Sequence, residues 1–230
     1  MYFKVKKLFL FIGLSFAAIQ FESNAQTVES AINRNMKYLA LGDSYTIGES
    51  VNVNDRWPVQ LANKIGIDPP QIIAKTGWTT DELTGALETA KLTPPYDLVS
   101  LLIGVNNQYR GRSSEEFRTE FIQLLNLAIE YADNNKLKVF VVSIPDWGVM
   151  PFAEGRNRKK IAKEIDEFNS IAEDQSIKAG ISFFDITPIS RRAKKDKLLV
   201  ANDGLHPSGK MYAEWVELIY PSLLKQLENE

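Results

Sequence analysis

Cysteine is absent from this chain of 230 residues, and histidine occurs only once, as His206. Without cysteine there are no disulfides, no thiolate chemistry and no lipid attachment through a cysteine. A zinc site built on several histidines is excluded as well, because only one exists. Carboxylates alone can bind Mg²⁺ or Ca²⁺, but no acidic spacing of the calcium-loop kind is present. We therefore expect no cofactor and no metal.

Long apolar runs are also scarce, and the charge is nearly balanced. The formal net charge of −2 makes nucleic-acid binding a poor hypothesis. Residues 8–19 form an apolar run after Lys4, Lys6 and Lys7, and Ser23-Asn24-Ala25 follows it. This pattern is typical of a secretory signal peptide, and the run is short for a membrane span of about 20 residues. We predict a signal peptide over 1–25, a single domain over 26–230, a periplasmic or extracellular location, and no stable membrane span after cleavage.

Short β-rich runs alternate with longer amphipathic segments along the rest of the chain. Such alternation favours parallel strands joined by right-handed crossovers, and hence an α/β fold, a three-layer α/β/α sandwich with a five-stranded parallel sheet. All five runs are apolar enough to be buried on both faces. The predicted strands are 36–41, 71–74, 98–103, 138–144 and 181–184. The predicted helices are 58–65, 80–90, a long helix that begins after Ser113, a second long helix around 161–172, and 212–227.

Polar motifs follow four of these strands. Gly42-Asp43-Ser44 follows the first, Gly77 the second, Gly104-Val105-Asn106-Asn107 the third, and Asp203 to His206 follows the fifth. Active sites of open parallel sheets lie beyond the carboxyl ends of the strands. We therefore expect these motifs to meet in one crevice.

Ser44, His206 and Asp203 match the needs of acyl transfer. A serine hydroxyl is a weak nucleophile until a base takes its proton, and the base needs a third group to orient it. Asp203 precedes His206 by three residues, close enough for its carboxylate to accept the Nδ1 proton. We predict Ser44 as nucleophile, His206 as base and Asp203 as the group that orients it, with Gly77 and Asn106 supplying donors for the oxyanion.

The same residues resemble a known family, the SGNH or GDSL hydrolases, over the chain from about residue 36 to the final helix. The four family blocks occur here in order: Gly42-Asp43-Ser44-Tyr45-Thr46, Gly77, Gly104-Val105-Asn106, and Asp203-Gly204-Leu205-His206-Pro207. One departure is Asn107, where the family usually carries Asp after the Asn of the third block.

The resemblance implies a flavodoxin-like SGNH-hydrolase fold and a serine esterase without a cofactor. It assigns the catalytic triad to Ser44, Asp203 and His206, and the oxyanion hole to the Ser44 N–H, Gly77 and Asn106. These roles coincide with those reasoned from the residues themselves.

Several large side chains follow strand ends and are candidates for substrate contact. They are Trp78, Tyr109, Trp147, Met150 and Phe152. Ligand pockets are lined mainly by such side chains. We predict an exported esterase acting on small ester substrates, of the lysophospholipase or short-acyl type. A carbohydrate O-acetylesterase, an acyltransferase to a sugar or alcohol, and a non-catalytic binding module stay open as alternatives.

Overall fold

A computed structural model describes residues 35–228 and contains one five-stranded sheet. All strand pairs are parallel, and the strand order is β2-β1-β3-β4-β5. The strands are β1 (Tyr38–Gly42), β2 (Gln71–Ala74), β3 (Leu98–Leu102), β4 (Val139–Val142) and β5 (Ser182–Phe184). The predicted fold is confirmed. The predicted signal peptide over 1–25 lies outside the described residues.

Helices connect the strands and cover both faces of the sheet. They are α1 (Ser44–Ile47), α2 (Trp57–Ile65), α3 (Thr80–Thr89), α4 (Val105–Tyr109), α5 (Ser114–Tyr131), α6 (Arg158–Ala179), α7 (Thr187–Arg191) and α8 (Gly209–Glu228). Short 3₁₀ turns lie at Val53–Asp55, Lys136–Lys138, Trp147–Val149, Pro151–Ala153, Arg192–Lys194 and Lys197–Leu199.

The path of the chain explains the two helical layers. From β1 the chain moves to β2 at one edge, then crosses β1 to reach β3 and continues in the opposite direction. Right-handed crossovers in opposite directions place their helices on opposite faces of the sheet. Accordingly α2 packs against α8, whereas α5 packs against both α3 and α6.

Burial differs between the central and the edge strands. Strands β1, β3 and β4 are buried along their whole length, but β2 is only half-buried and β5 is half-buried except for Phe184. The prediction that all five strands are buried on both faces is therefore wrong for β2 and β5. The reason is positional, because an edge strand has a neighbour on one side only.

Local sequence signals set several helix ends. The Ser113 hydroxyl accepts a hydrogen bond from the Glu116 N–H at 3.1 Å and caps α5, which begins directly after Ser113 as predicted. Thr79 and Glu82 form a reciprocal capping box at the start of α3. Along α5, Phe117, Phe121 and Leu124 share one buried face, which packs onto β3 and the neighbouring helices.

The sheet topology also marks where a ligand would bind. The connections change direction at β1, so a crevice opens beyond the carboxyl ends of β1 and β3. Within residues 35–228, no helix is long and apolar enough to cross a membrane.

Candidate active site

A cleft of about 180 Å³ lies at the carboxyl ends of β1 and β3, at the predicted position. It is lined by Ser44, Tyr45, Val105, Asn106, Tyr109, Trp147, Phe152, Leu205 and His206. The motifs that follow the first and third strands thus meet the loop that contains His206, although this loop is more than 150 residues away from Ser44 in the sequence.

Ser44 is the first residue of α1, directly after the sharp turn that follows β1. A Cβ on Gly42 would overlap the Leu102 carbonyl of β3 and the Thr46 hydroxyl, so only glycine fits beside the neighbouring strand. Asp43 then caps α1 by accepting a hydrogen bond from the Tyr45 N–H at 3.0 Å. Ser44 is 5% exposed, and its exposed part faces the cleft.

Asp43 itself is completely buried next to Ser44. Burial raises the pKa of its carboxyl to about 7, and the hydrogen bond from the Tyr45 N–H offsets only part of that effect. Its second oxygen, Oδ2, has no hydrogen-bond partner among the described residues. The carboxyl group directly before the serine is therefore neutral over much of the acidic pH range.

Asp203 and His206 form a compact unit within one loop. Their side chains are joined by a contact of 2.6 Å between Asp203 Oδ2 and His206 Nδ1. The other oxygen, Oδ1, accepts from the backbone N–H groups of Leu205 and His206, both at 2.9 Å. This arrangement leaves Nε2 as the free nitrogen of a histidine that is 7% exposed and packs edge-on against Tyr45.

Ser50 is a third partner of this unit, and sequence reasoning missed it. Its hydroxyl donates to Asp203 Oδ2 at 2.6 Å. Burial raises the pKa of Asp203, but the hydrogen bonds from Ser50, His206 and the two backbone N–H groups outweigh it and hold the pKa well below its usual range. Asp203 is therefore ionised at neutral pH, as a group that orients a histidine must be.

Asn106 starts from the predicted strand end and reaches the cleft. Its Nδ2 donates to the Trp78 carbonyl at 2.9 Å, which fixes the amide and leaves its second N–H for another acceptor. Gly77 has a φ of +86°, a conformation that favours glycine, and its carbonyl accepts from Arg110 at 2.6 Å. Gly77 and Trp78 lie beside Asn106 but outside the cleft lining.

Asn107, the departure from the family pattern, is fully buried and makes reciprocal bonds to Thr80. Its Oδ1 accepts from the Thr80 N–H at 3.1 Å, and its Nδ2 donates to the Thr80 hydroxyl at 2.6 Å. The same Nδ2 is 3.4 Å from Glu120 Oε2, and this carboxylate also accepts from the Thr80 hydroxyl. An amide suits this position because it donates toward a carboxylate, whereas an aspartate would repel it.

Three of the five candidate substrate contacts form an aromatic wall of the cleft. The ring centroids of Tyr109 and Trp147 are 5.3 Å apart, and Phe152 lies 6.1 Å from Trp147 and 6.4 Å from Tyr109. Met150, by contrast, is fully buried and does not line the cleft, because the loop after β4 turns it into the core.

Three hydrogen bonds that the sequence did not indicate hold this wall in place. The indole N–H of Trp147 donates to Gln108 Oε1 at 2.8 Å, and Gln108 in turn donates to Glu164 at 2.8 Å. The backbone N–H of Phe152 donates to the Gly204 carbonyl at 3.0 Å. The aromatic wall is thereby tied to the loop of Asp203 and His206.

No group of three or more His, Asp or Glu side chains able to hold a metal ion occurs within residues 35–228. The predicted triad and one predicted oxyanion donor, Asn106, do come together around the cleft.

Comparison with models of known families identifies the family of this chain. The sequence model of the GDSL-like lipase/acylhydrolase family matches residues 40–214, which include both Ser44 and His206. The chain belongs to this family. A comparison of this GDSL-like protein with curated proteins gave no match.

Solved structures support the same fold for the GDSL-like chain. A GDSL-like lipase from Bacteroides thetaiotaomicron is 18% identical, with a TM-score of 0.62 over 88% of this chain and 97% of that one. The psychrotrophic esterase EstA from Pseudoalteromonas sp. is 19% identical, with a TM-score of 0.60 over 84% and 100%. A carbohydrate acetylesterase family member from Sinorhizobium meliloti is 18% identical, with a TM-score of 0.60 over 84% and 99%. At such identities the likeness establishes the fold.

Proposed function

We propose that this chain is an exported serine esterase that cleaves carboxylic esters through an acyl-Ser44 intermediate. The observation that carries the proposal is that Ser44 and His206 line one cleft, while His206 Nδ1 is held 2.6 Å from the Asp203 carboxylate. A nucleophile, a base and an orienting group in that relation are the requirements of acyl transfer.

The reaction would proceed in two halves. In acylation, His206 Nε2 takes the proton of Ser44 Oγ as this oxygen attacks the ester carbonyl. The resulting oxyanion would accept hydrogen bonds from the Ser44 N–H and the free N–H of Asn106. The family resemblance adds the N–H of Gly77, which lies next to Trp78 and outside the cleft lining. The intermediate then collapses, the C–O bond to the alcohol breaks, and the alcohol leaves with the proton from His206.

In deacylation, water replaces the alcohol. His206 takes a proton from water, the oxygen attacks the acyl-Ser44 carbonyl, and the acid leaves as Ser44 regains its proton. Ionised Asp203 would stabilise the imidazolium in both halves.

The size of the cleft favours short acyl groups over long ones. Its volume of about 180 Å³ is below the range of about 300–1,000 Å³ common for ligand pockets. We therefore rank a short-acyl esterase above a lysophospholipase. Tyr109 and Phe152 are 46% and 42% exposed, and exposed rings at a cleft suit stacking with a sugar, which favours a carbohydrate O-acetylesterase as the second candidate.

Export is proposed from the N-terminal pattern of residues 1–25. Mass spectrometry of the protein recovered outside the cytoplasm tests this proposal, and the mass should correspond to cleavage after Ala25. The mass of the full-length chain would contradict the proposed cleavage.

The experiment for the activity is a panel of aryl esters of increasing acyl length, acetylated sugars and a lysophospholipid. Ser44→Ala should lower kcat at least about 10⁴-fold on every ester that the wild type cleaves, and Asp203→Asn should lower it by about 10²–10⁴-fold. The matched control is Ser222→Ala, which removes an exposed hydroxyl on α8. The mechanism is wrong if no ester is cleaved or if Ser44→Ala retains the wild-type rate.

An alcohol acceptor added to the same assay separates hydrolysis from transfer. Formation of a new ester in competition with water would identify an acyltransferase. We expect free acid as the main product.

A further inference from the structure

Arg156 lies over the aromatic wall of the cleft. The centre of its guanidinium group is 5.3 Å from the Tyr109 ring centroid, 5.4 Å from that of Trp147 and 5.2 Å from that of Phe152. Each distance is within the range of about 6 Å in which a ring face attracts a cation. One guanidinium nitrogen also donates to the Tyr109 hydroxyl at 3.2 Å. Three rings and one hydrogen bond thus determine where this charge is placed.

The charge of Arg156 has no carboxylate partner at ion-pair distance within residues 35–228. Several other arginines do have one, among them Arg112 with Asp81 at 2.7 Å, Arg191 with Asp146 at 2.9 Å and Arg192 with Glu214 at 2.6 Å. Arg56 and Arg158 also form no ion pair within these residues, but neither lies over the aromatic wall. Arg156 is also exposed. A guanidinium group carries five N–H donors, so the bond to Tyr109 leaves most of them for a ligand.

Backbone hydrogen bonds connect the segment of Arg156 to the loop that contains Asp203 and His206. The Arg156 N–H donates to the Ala153 carbonyl at 3.2 Å, and Gly155 before it has a φ of +75°. The same segment is bound to the loop of His206 through the Phe152 N–H and the Gly204 carbonyl. The segment that carries the cation is therefore joined by a backbone hydrogen bond to the loop of the reacting groups, and Arg156 itself lies beside the cleft rather than among the residues that line it.

We propose that Arg156 binds an anionic oxygen group, a phosphate or a carboxylate, on the ester substrate and thereby selects anionic esters over neutral ones. This inference rests on the proposed esterase function of Ser44. Arginine suits the role because its planar fork stacks on aromatic rings and also binds carboxylate or phosphate through two N–H donors. The apolar rings strengthen the attraction by excluding water from one side of the charge.

Two matched substrate pairs test the proposal and locate the anionic group. An anionic group on the alcohol is tested by comparing monobutanoylglycerol with monobutanoylglycerol phosphate. An anionic group on the acyl chain is tested by comparing para-nitrophenyl hexanoate with the mono-para-nitrophenyl ester of adipic acid. In at least one pair, Arg156→Gln should lower the ratio of kcat/KM for the anionic ester to that for the neutral ester by about tenfold. Arg156→Lys should retain part of this ratio, because it keeps the charge but loses the fork.

Lys159→Gln is the control, since it removes an exposed positive charge three residues away. This variant should leave the ratio as in the wild type. Added salt should lower the ratio more in the wild type than in Arg156→Gln. The proposal is overturned if Arg156→Gln leaves both ratios unchanged, or if Lys159→Gln lowers them equally, because general surface charge would then explain the preference.

A binding measurement keeps this inference separate from the proposed reaction. Ser44→Ala and the double variant Ser44→Ala/Arg156→Gln are titrated by calorimetry with each of the two anionic esters of these pairs. We expect Kd to rise about tenfold in the double variant for the ester whose ratio of kcat/KM depends on Arg156. Equal affinities of the two variants for both anionic esters refute the role of Arg156 even if the wild type cleaves esters. A lower affinity of the double variant supports that role even if no ester is turned over and the proposed reaction fails.

Discussion

Asp43→Asn should change how the stability of the protein depends on pH. Asp43 is fully buried, and burial raises the pKa of its carboxyl from 3.8 to about 7. Below pH 3.8 the group is neutral in the folded and unfolded states and costs nothing. As the pH rises toward 7 the unfolded chain ionises first, so the free energy of unfolding falls, and above pH 7 this loss is complete. A shift of about three pKa units at 1.36 kcal/mol each corresponds to about 4 kcal/mol.

In the asparagine variant the free energy of unfolding does not fall in this way as the pH rises, because an amide does not ionise. Its Oδ1 still accepts from the Tyr45 N–H, but its NH₂ replaces an oxygen that has no partner among the described residues. Near pH 4 the neutral carboxyl of the wild type carries a proton that is itself an unpaired buried donor, so the cost of about 1–3 kcal/mol for such a donor is largely common to both proteins. The variant should therefore be close to the wild type in stability near pH 4 and more stable near pH 8, with the difference between the two changing by about 4 kcal/mol.

Urea unfolding followed by tryptophan fluorescence, at pH steps from about 4 to 8, measures this difference. Asp68→Asn removes an exposed carboxylate and is the control, which should run nearly parallel to the wild type. A constant difference between wild type and Asp43→Asn over the whole range would refute the raised pKa. The raised pKa would also be refuted if Asp43→Asn became less stable relative to the wild type as the pH rises.

Two further predictions concern residues around the triad. Asn107→Asp should lower the free energy of unfolding by about 2–3 kcal/mol, because it places a second carboxylate beside Glu120. In urea unfolding, adding Glu120→Gln should restore most of the loss, and no recovery would contradict the repulsion. Ser50→Ala should lower kcat/KM about 3- to 10-fold through the lost charge-assisted hydrogen bond to Asp203. It should leave the unfolding free energy within about 1 kcal/mol, and an unchanged kcat/KM in ester assays would show that Ser50 does not support the triad.

Features that depend on nearby residues could be predicted from the sequence. Alternating strand and helix patterns identified the parallel sheet, and the motifs at strand ends indicated the cleft. The contact between Asp203 and His206 was predictable because the two lie three residues apart in one loop. Their roles in catalysis stay a prediction.

Contacts between distant segments could not be predicted. Ser50 reaches Asp203 across 153 residues, and Gln108 holds Trp147 from another strand end. Neither has a local signal, since an isolated serine or glutamine in a loop is usually a solvent-exposed polar residue. The same limit explains why Met150, next to the aromatic wall in sequence, is buried instead.

The sequence by itself determined the fold class, the family blocks and the choice of Ser44 and His206, because periodicity and short motifs are local properties of the chain. Only the tertiary structure decided which side chains surround them. Packing of crossover helices on a twisted sheet brings remote residues within hydrogen-bond distance, and that geometry placed Arg156 over three rings and Asn107 beside Glu120. The absence of cysteine and the single histidine narrowed the chemistry, and three-dimensional packing set the surroundings in which it would operate.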